Sequence, residues 1–99
     1  MKTITIVTEQ VTERELTAAI PTRGVASVRI SPNRPQPRVA APYRAFRNPA
    51  RFAPKFRIEV MVDDDAVETV VDGVSFAYGA GFFGDAELWV NDAILAMSA

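Results

Sequence analysis

Residues 55–74, KFRIEVMVDDDAVETVVDGV, decide the fold. Phe56, Ile58, Val60 and Val62 alternate with Lys55, Arg57, Glu59 and Met61, which is the period of a strand, and the unbroken apolar side places that strand centrally in a sheet. Asp63, Asp64 and Asp65, with Glu68, then put negative charge at the start of a helix, where carboxylates cap free N–H groups and favour the dipole. Val67, Val70, Val71 and Val74 follow at the i, i+3, i+4, i+7 spacing of one buried helix face. A period of two thus gives way to a period of 3.6, as a strand feeding a crossover helix requires.

The N-terminal part repeats the pattern. Residues 3–8 alternate Ile4 and Ile6 against Thr3, Thr5 and Val7, a first strand rich in β-branched residues. Thr12 stands three residues before Glu15, a capping box, and Val11 is placed to pack on Leu16 as a hydrophobic staple. Leu16, Ala19 and Ile20 form the stripe of this helix, which Pro21 and Gly24 end near Ile20. Residues 25–30 return as a second strand. Downstream, the glycine-rich turn YGAGFFGD at 78–85 leads to a last strand at 86–91, and the tail DAILAMSA is assigned no element.

The order is strand, helix, strand, long loop, strand, helix, strand. With right-handed crossovers it gives an α+β, ferredoxin-like βαββαβ fold: a four-stranded antiparallel sheet backed by two helices, with the long loop between the second and third strands. Trp89 and Met61 fall on the sheet face opposite Leu88 and Val60, so a monomer would leave bulky apolar groups wet, and a homo-oligomer built on that face is expected.

Ninety-nine residues make a single domain with one core. At 48% apolar and 23% charged, the composition is that of a soluble globular protein. The absence of cysteine rules out a disulfide framework and suits the cytoplasm. MKTITIVTEQ is too short an apolar run for a secretory signal, and no run approaches the roughly 20 apolar residues of a membrane span, so work at a membrane would be by docking to its inner face.

Residues 31–54, SPNRPQPRVAAPYRAFRNPARFAP, carry five arginines, six prolines and no acid. The rest of the chain has six basic residues against twelve acids, so the net charge of −1 conceals a basic arm on an acidic body. So long a connection in so small a domain points to a use. The first reading is a docking arm, with Arg34, Arg38, Tyr43, Arg44, Arg47 and Arg51 meeting an acidic or phosphate-bearing partner. The second is a solvated, proline-stiffened loop. The third, single-stranded nucleic acid gripped by arginines and by Tyr43, Phe46 and Phe52, is disfavoured by the acidic body, and no nucleic-acid partner is expected.

The fold alone does not select a function. Without His or Cys the chain lacks the usual neutral base, the thiol nucleophile and most transition-metal ligands, so no catalytic residue is assigned. The three aspartates are read as helix capping rather than a cation site, because they lack the spaced oxygens of a calcium loop; no metal is assigned. Gly79, Gly81 and Gly84, beside Asp85, let backbone N–H groups approach an anion, as in a phosphate cradle; they serve a tight turn equally well. Phe82 and Phe83 read as packing against a neighbouring subunit. Were the chain an enzyme for phosphoesters or acyl phosphates, Arg23 with Asn33 would be its best pair.

In combination, several strings resemble the PII signal-transduction proteins, including the PII-like branch associated with bicarbonate transport. FAPKFRIEVMVDDDAVETVV at 52–71 is similar to that family's Phe-x-Pro-Lys, Ile-Glu-Val, acidic turn and helix; GFFGDAELWV at 81–90 is similar to its B-loop and last strand. Tyr43 and Arg44 fall where its T-loop has Tyr-Arg, and VTEQVTERELTAAI resembles the opening of the transporter-associated members. The resemblance implies a homotrimer that binds adenine nucleotides in clefts between subunits and touches a target, such as a membrane transporter, through residues 31–54. It assigns ligand contacts to Lys55 at the loop base and to Gly81, Gly84 and Asp85 of the B-loop. Phe82, Ala86 and Glu87 replace a lysine, a glycine and a second lysine of the pattern, and the C-terminal arginine pair is missing. A triphosphate would therefore lack cationic partners. The expected effector is a smaller anion, AMP, ADP or bicarbonate, with no cofactor required. A family member that binds no nucleotide and serves as a constitutive interaction trimer is the alternative. The tyrosine modified in some members falls on Asn48.

Overall fold

The computed structural model describes residues 1–34, 43–46 and 53–92. Its elements are β1 (Lys2–Thr8), α1 (Glu13–Ala19), β2 (Val25–Pro32), β3 (Arg44–Phe46), β4 (Phe56–Val62), α2 (Val67–Gly79) and β5 (Ala86–Asp92), with a 3₁₀ turn at Asp64–Ala66 before α2. The two strands with the cleanest alternation, β1 and β4, pair at the middle of the sheet. The order is β2-β4-β1-β5-β3, and every neighbouring pair is antiparallel. Without β3 this is the four-stranded βαββαβ arrangement that the sequence predicts.

β3 is the departure. Arg44 pairs with Leu88 and Phe46 with Ala86, so part of the arginine loop adds a fifth strand to the edge opposite β2. Three residues are too few to show a period, and the surrounding prolines mask the signal. β2 also runs two residues further than expected, to Pro32, and Asn33 N–H still donates to the Lys55 carbonyl at 2.9 Å. The residues expected to form one unstructured stretch therefore begin and are interrupted as sheet. The tail at 93–99 lies outside the described residues.

Alternation sets the core. Ile4 stands between Val60 and Val90, and Ile6 between Ile58 and Leu88. Together with Val62 they press on Leu16, Ala19 and Ile20 of the α1 segment and on Val70, Val71, Val74 and Ala77 of α2. Each fully buried Val, Leu or Ile contributes about 1.5–3 kcal/mol. The helices meet closely at Gly73, where an added Cβ would stand 2.2 Å from the Ala19 carbonyl oxygen.

α1 keeps its capping box: Thr12 Oγ1 accepts from Glu15 N–H, and Glu15 accepts from Thr12 N–H. At α2 the expected capping by aspartate side chains is not found. Asp63 is extended and makes no side-chain cap bond, and Asp64 pairs with the terminal amine of Met1 at 2.7 Å. Directly after Asp63, the 3₁₀ turn takes up the geometry that a cap would otherwise fix, and the carboxylates keep their favourable position on the dipole.

Because α1 is only seven residues long, it cannot cover all of β2. Val28 and Ile30, on the helix side of that edge strand, remain 40% and 43% exposed. On the other face of the sheet, Met61 and Trp89 are half-buried, while Thr5, Val7 and Glu87 are buried. Arg29 spans to Glu59 across the β2–β4 pair at 3.2 Å. Among the described residues no helix is long and apolar enough to cross a membrane.

Candidate functional site

One row of residues crosses the whole sheet. Pro32 pairs with Phe56, Phe56 with Thr8, Thr8 with Ala86 and Ala86 with Phe46. Each of the five strands starts or stops on this row. The same end of the sheet therefore holds the β1–α1 turn, the glycine turn and both roots of the arginine loop, although their residues are up to 76 positions apart.

The glycine turn passes through the left-handed region at three positions, Phe83 at φ 72, Gly84 at φ 65 and Gly81 at φ 90. Phe83 is the costly one, since a side chain there adds about 1–2 kcal/mol of backbone strain. Its ring offsets that by complete burial in the chain's own core, with Phe82 packed against the same cluster. The expected contact of Phe83 with a neighbouring subunit is therefore corrected. Gly79 is corrected as well: it ends α2 rather than lining the turn, because the helical pattern persists through Tyr78.

Two carboxylates from the β1–α1 region already fill the turn. Phe83 N–H donates to Glu15 Oε2 at 3.2 Å, and Asp85 N–H donates to Glu9 Oε1 at 3.2 Å. The backbone completes the join, with Glu9 N–H on the Asp85 carbonyl at 3.2 Å and Gln10 N–H on the Phe83 carbonyl at 3.1 Å. The second oxygen of Glu9 accepts from Ala53 N–H at 3.4 Å. Glu15 thus both closes the capping box of α1 and ties α1 to the turn, and Glu9 ties the turn to the loop root. A Cβ on Gly84 would make ordinary contact with Glu9 Cβ and Oε1 at 3.4 Å, so it is the φ of 65, not the approach of Glu9, that favours glycine there.

Positive charge at this end belongs to the loop root. Lys55 is fixed by its backbone, its N–H on the Thr8 carbonyl at 2.8 Å and its carbonyl accepting from Asn33, while its side chain is exposed. Arg34 is exposed beside it. Neither has an ion pair among the described residues. Tyr43 is tethered, its hydroxyl donating to Glu68 Oε1 on α2 at 2.8 Å, and Arg44 opens β3 on the far edge. Arg38, Arg47 and Arg51 lie outside the described residues.

The structure thus brings Lys55, Gly81, Gly84, Asp85 and Arg34 to one end of the sheet. It separates Arg23 from Asn33: they flank the two ends of β2, about 25 Å apart at 3.3 Å per residue, and form no joint site. Thr8 Oγ1, on the same terminal row, is buried without a hydrogen-bond partner among the described residues. Sequence reasoning missed Glu9 altogether and saw only the cap in Glu15. No local spacing links Glu9 to Asp85; only the β1–β5 register does. No protein-family model matches the chain.

Proposed function

We propose that this chain is a homo-oligomeric, PII-like regulatory protein whose arginine loop docks on an acidic or phosphate-bearing target, a membrane transporter on the family pattern. The loop root responds to a small anionic effector, AMP, ADP or bicarbonate, in a cleft between subunits. It works in the cytoplasm, reaches the inner face of the membrane through its target, and performs no chemistry on its ligand.

The observation that carries this reading is the single sheet end where both loop roots, Lys55 and the glycine turn meet. A ligand bound there touches the loop at its anchor, and by preferring one loop arrangement it shifts the population toward it. Lys55 and Arg34 offer charge that no described carboxylate neutralises. A second reading, a constitutive interaction oligomer without nucleotide binding, is favoured by Glu9 and Glu15, which occupy the turn amides that a phosphate would use.

Calorimetric titration with AMP, ADP, ATP, cyclic AMP and bicarbonate separates the two. Saturable binding of one of them is the expected result, and silence across the panel selects the second reading. Both need the loop: changing Arg44 and Arg47 to alanine is expected to abolish target capture with the oligomer intact, and retained capture removes the docking role.

A further inference from the structure

Glu9 is the one side chain among the described residues whose two carboxylate oxygens join the glycine turn to the arginine loop. Oε1 takes the Asp85 amide at 3.2 Å, at the long end of the usual N–H···O range, while Oε2 takes the Ala53 amide at 3.4 Å, beyond that range. The Asp85 arm is therefore the anchor, and the Ala53 arm is the one that gives first. The backbone of Glu9 is itself fixed by its bond to the Asp85 carbonyl, so the carboxylate is presented from a rigid base. Glu15 makes an otherwise similar bond to Phe83 but touches no loop residue, which supplies an internal comparison.

We propose that Glu9 is a latch on the arginine loop. Its carboxylate is an internal ligand at a site made by the Asp85 and Ala53 amides, and the class of external ligand that fits this site is a small planar carboxylate. The inference deepens the docking reading above and rests on it for its biological meaning, because Ala53 belongs to the root of the stretch that carries the arginines.

Hydrogen–deuterium exchange followed by NMR tests the latch without any target, so its failure is distinguishable from failure of the docking role. Glu9→Gln keeps the shape, removes the charge and turns one acceptor into a donor. The Ala53 amide, on the arm that gives first, is expected to exchange roughly 10-fold faster or more, while the Asp85 amide keeps the remaining oxygen and the Phe83 amide changes by less than about twofold. In Glu9→Ala the vacated space is open, and acetate at tens of millimolar is expected to restore protection at both amides together. Equal acceleration at Phe83 would mean global loosening and overturn the latch. Unchanged exchange at Ala53 overturns it as well, and failure of acetate to restore protection overturns the carboxylate site.

Discussion

Replacing Glu15 with glutamine tests whether the glycine turn is held by a carboxylate. Glu15 accepts from Thr12 N–H at 3.0 Å through one oxygen and from Phe83 N–H at 3.2 Å through the other. Glutamine has one oxygen, so its NH₂ must face one of the two donors, and a part-buried N–H loses its partner. A hydrogen bond to a charged group is worth about 1.5–3 kcal/mol, and loss of negative charge from the first turn of α1 adds about 0.3–1 kcal/mol. The sum is about 2–4 kcal/mol, a large share of the roughly 5–15 kcal/mol that holds a domain of this size together. Glu13 occupies the same first turn, is exposed and has no such bond, so Glu13→Gln loses only the dipole contribution. Urea unfolding followed by circular dichroism, at neutral pH and fixed protein concentration, compares the two variants with the parent. The expected result is a Glu15→Gln midpoint far below that of Glu13→Gln at an unchanged slope. Equal midpoints would refute the view that the Phe83 amide depends on Glu15.

Gly73→Ala sets two effects against each other. Alanine improves helix propensity by about 1 kcal/mol, but its Cβ would stand 2.2 Å from the Ala19 backbone oxygen, which cannot rotate aside. A net loss of about 1–3 kcal/mol in thermal or urea unfolding is expected, and a gain would show that α1 moves freely. Thr8→Val should raise stability by about 1 kcal/mol, because the buried hydroxyl has no partner among the described residues to lose; destabilisation would reveal one. At the opposite end of the sheet, Lys2 pairs with Asp92 and the terminal amine with Asp64, which depresses both carboxyls and raises the Lys2 ammonium. The carboxylate contribution is present above the ordinary aspartate range and is lost as pH falls through the depressed value, whereas the lysine contribution is lost only as pH rises through its raised one. The stability difference between Asp92→Asn and the parent should therefore be greatest between about pH 5 and 9, vanish in acid and shrink in 1 M salt, as befits exposed pairs.

What the sequence made legible was whatever repeats locally. The alternation at Phe56, Ile58, Val60 and Val62 and the helical spacing of Val70, Val71 and Val74 return as buried faces, and Thr12 with Glu15 returns as a capping box. Contacts set by register were not legible. Glu9 reaches Asp85 because β1 and β5 end on the same row, and no property of residues 9 or 85 alone predicts that. β3 escaped because three residues carry no period. Phe83 was misread because a buried aromatic in a left-handed turn runs against both turn chemistry and the preference of L-residues; the ring's place in the core overrides both. The acidic run at 63–65 met the opposite fate. Its composition suggested caps, while an intervening 3₁₀ turn sent its side chains elsewhere.

The central place of β1 has a further consequence for synthesis on the ribosome. β1 leaves the exit tunnel before any of its partners, yet its two edges are closed by β4 and β5, whose residues follow roughly 50 and 80 positions later. At about 5–20 residues per second, the strand of Ile4 and Ile6 waits several seconds, apolar and unpaired on both sides. Throughout that interval the nascent chain exposes the edge most able to pair with a neighbouring copy on the same polysome. The α1 segment follows at once, but at seven residues it is too short to hold as an isolated helix, so Leu16 covers the waiting isoleucines only when the sheet and α2 are in place.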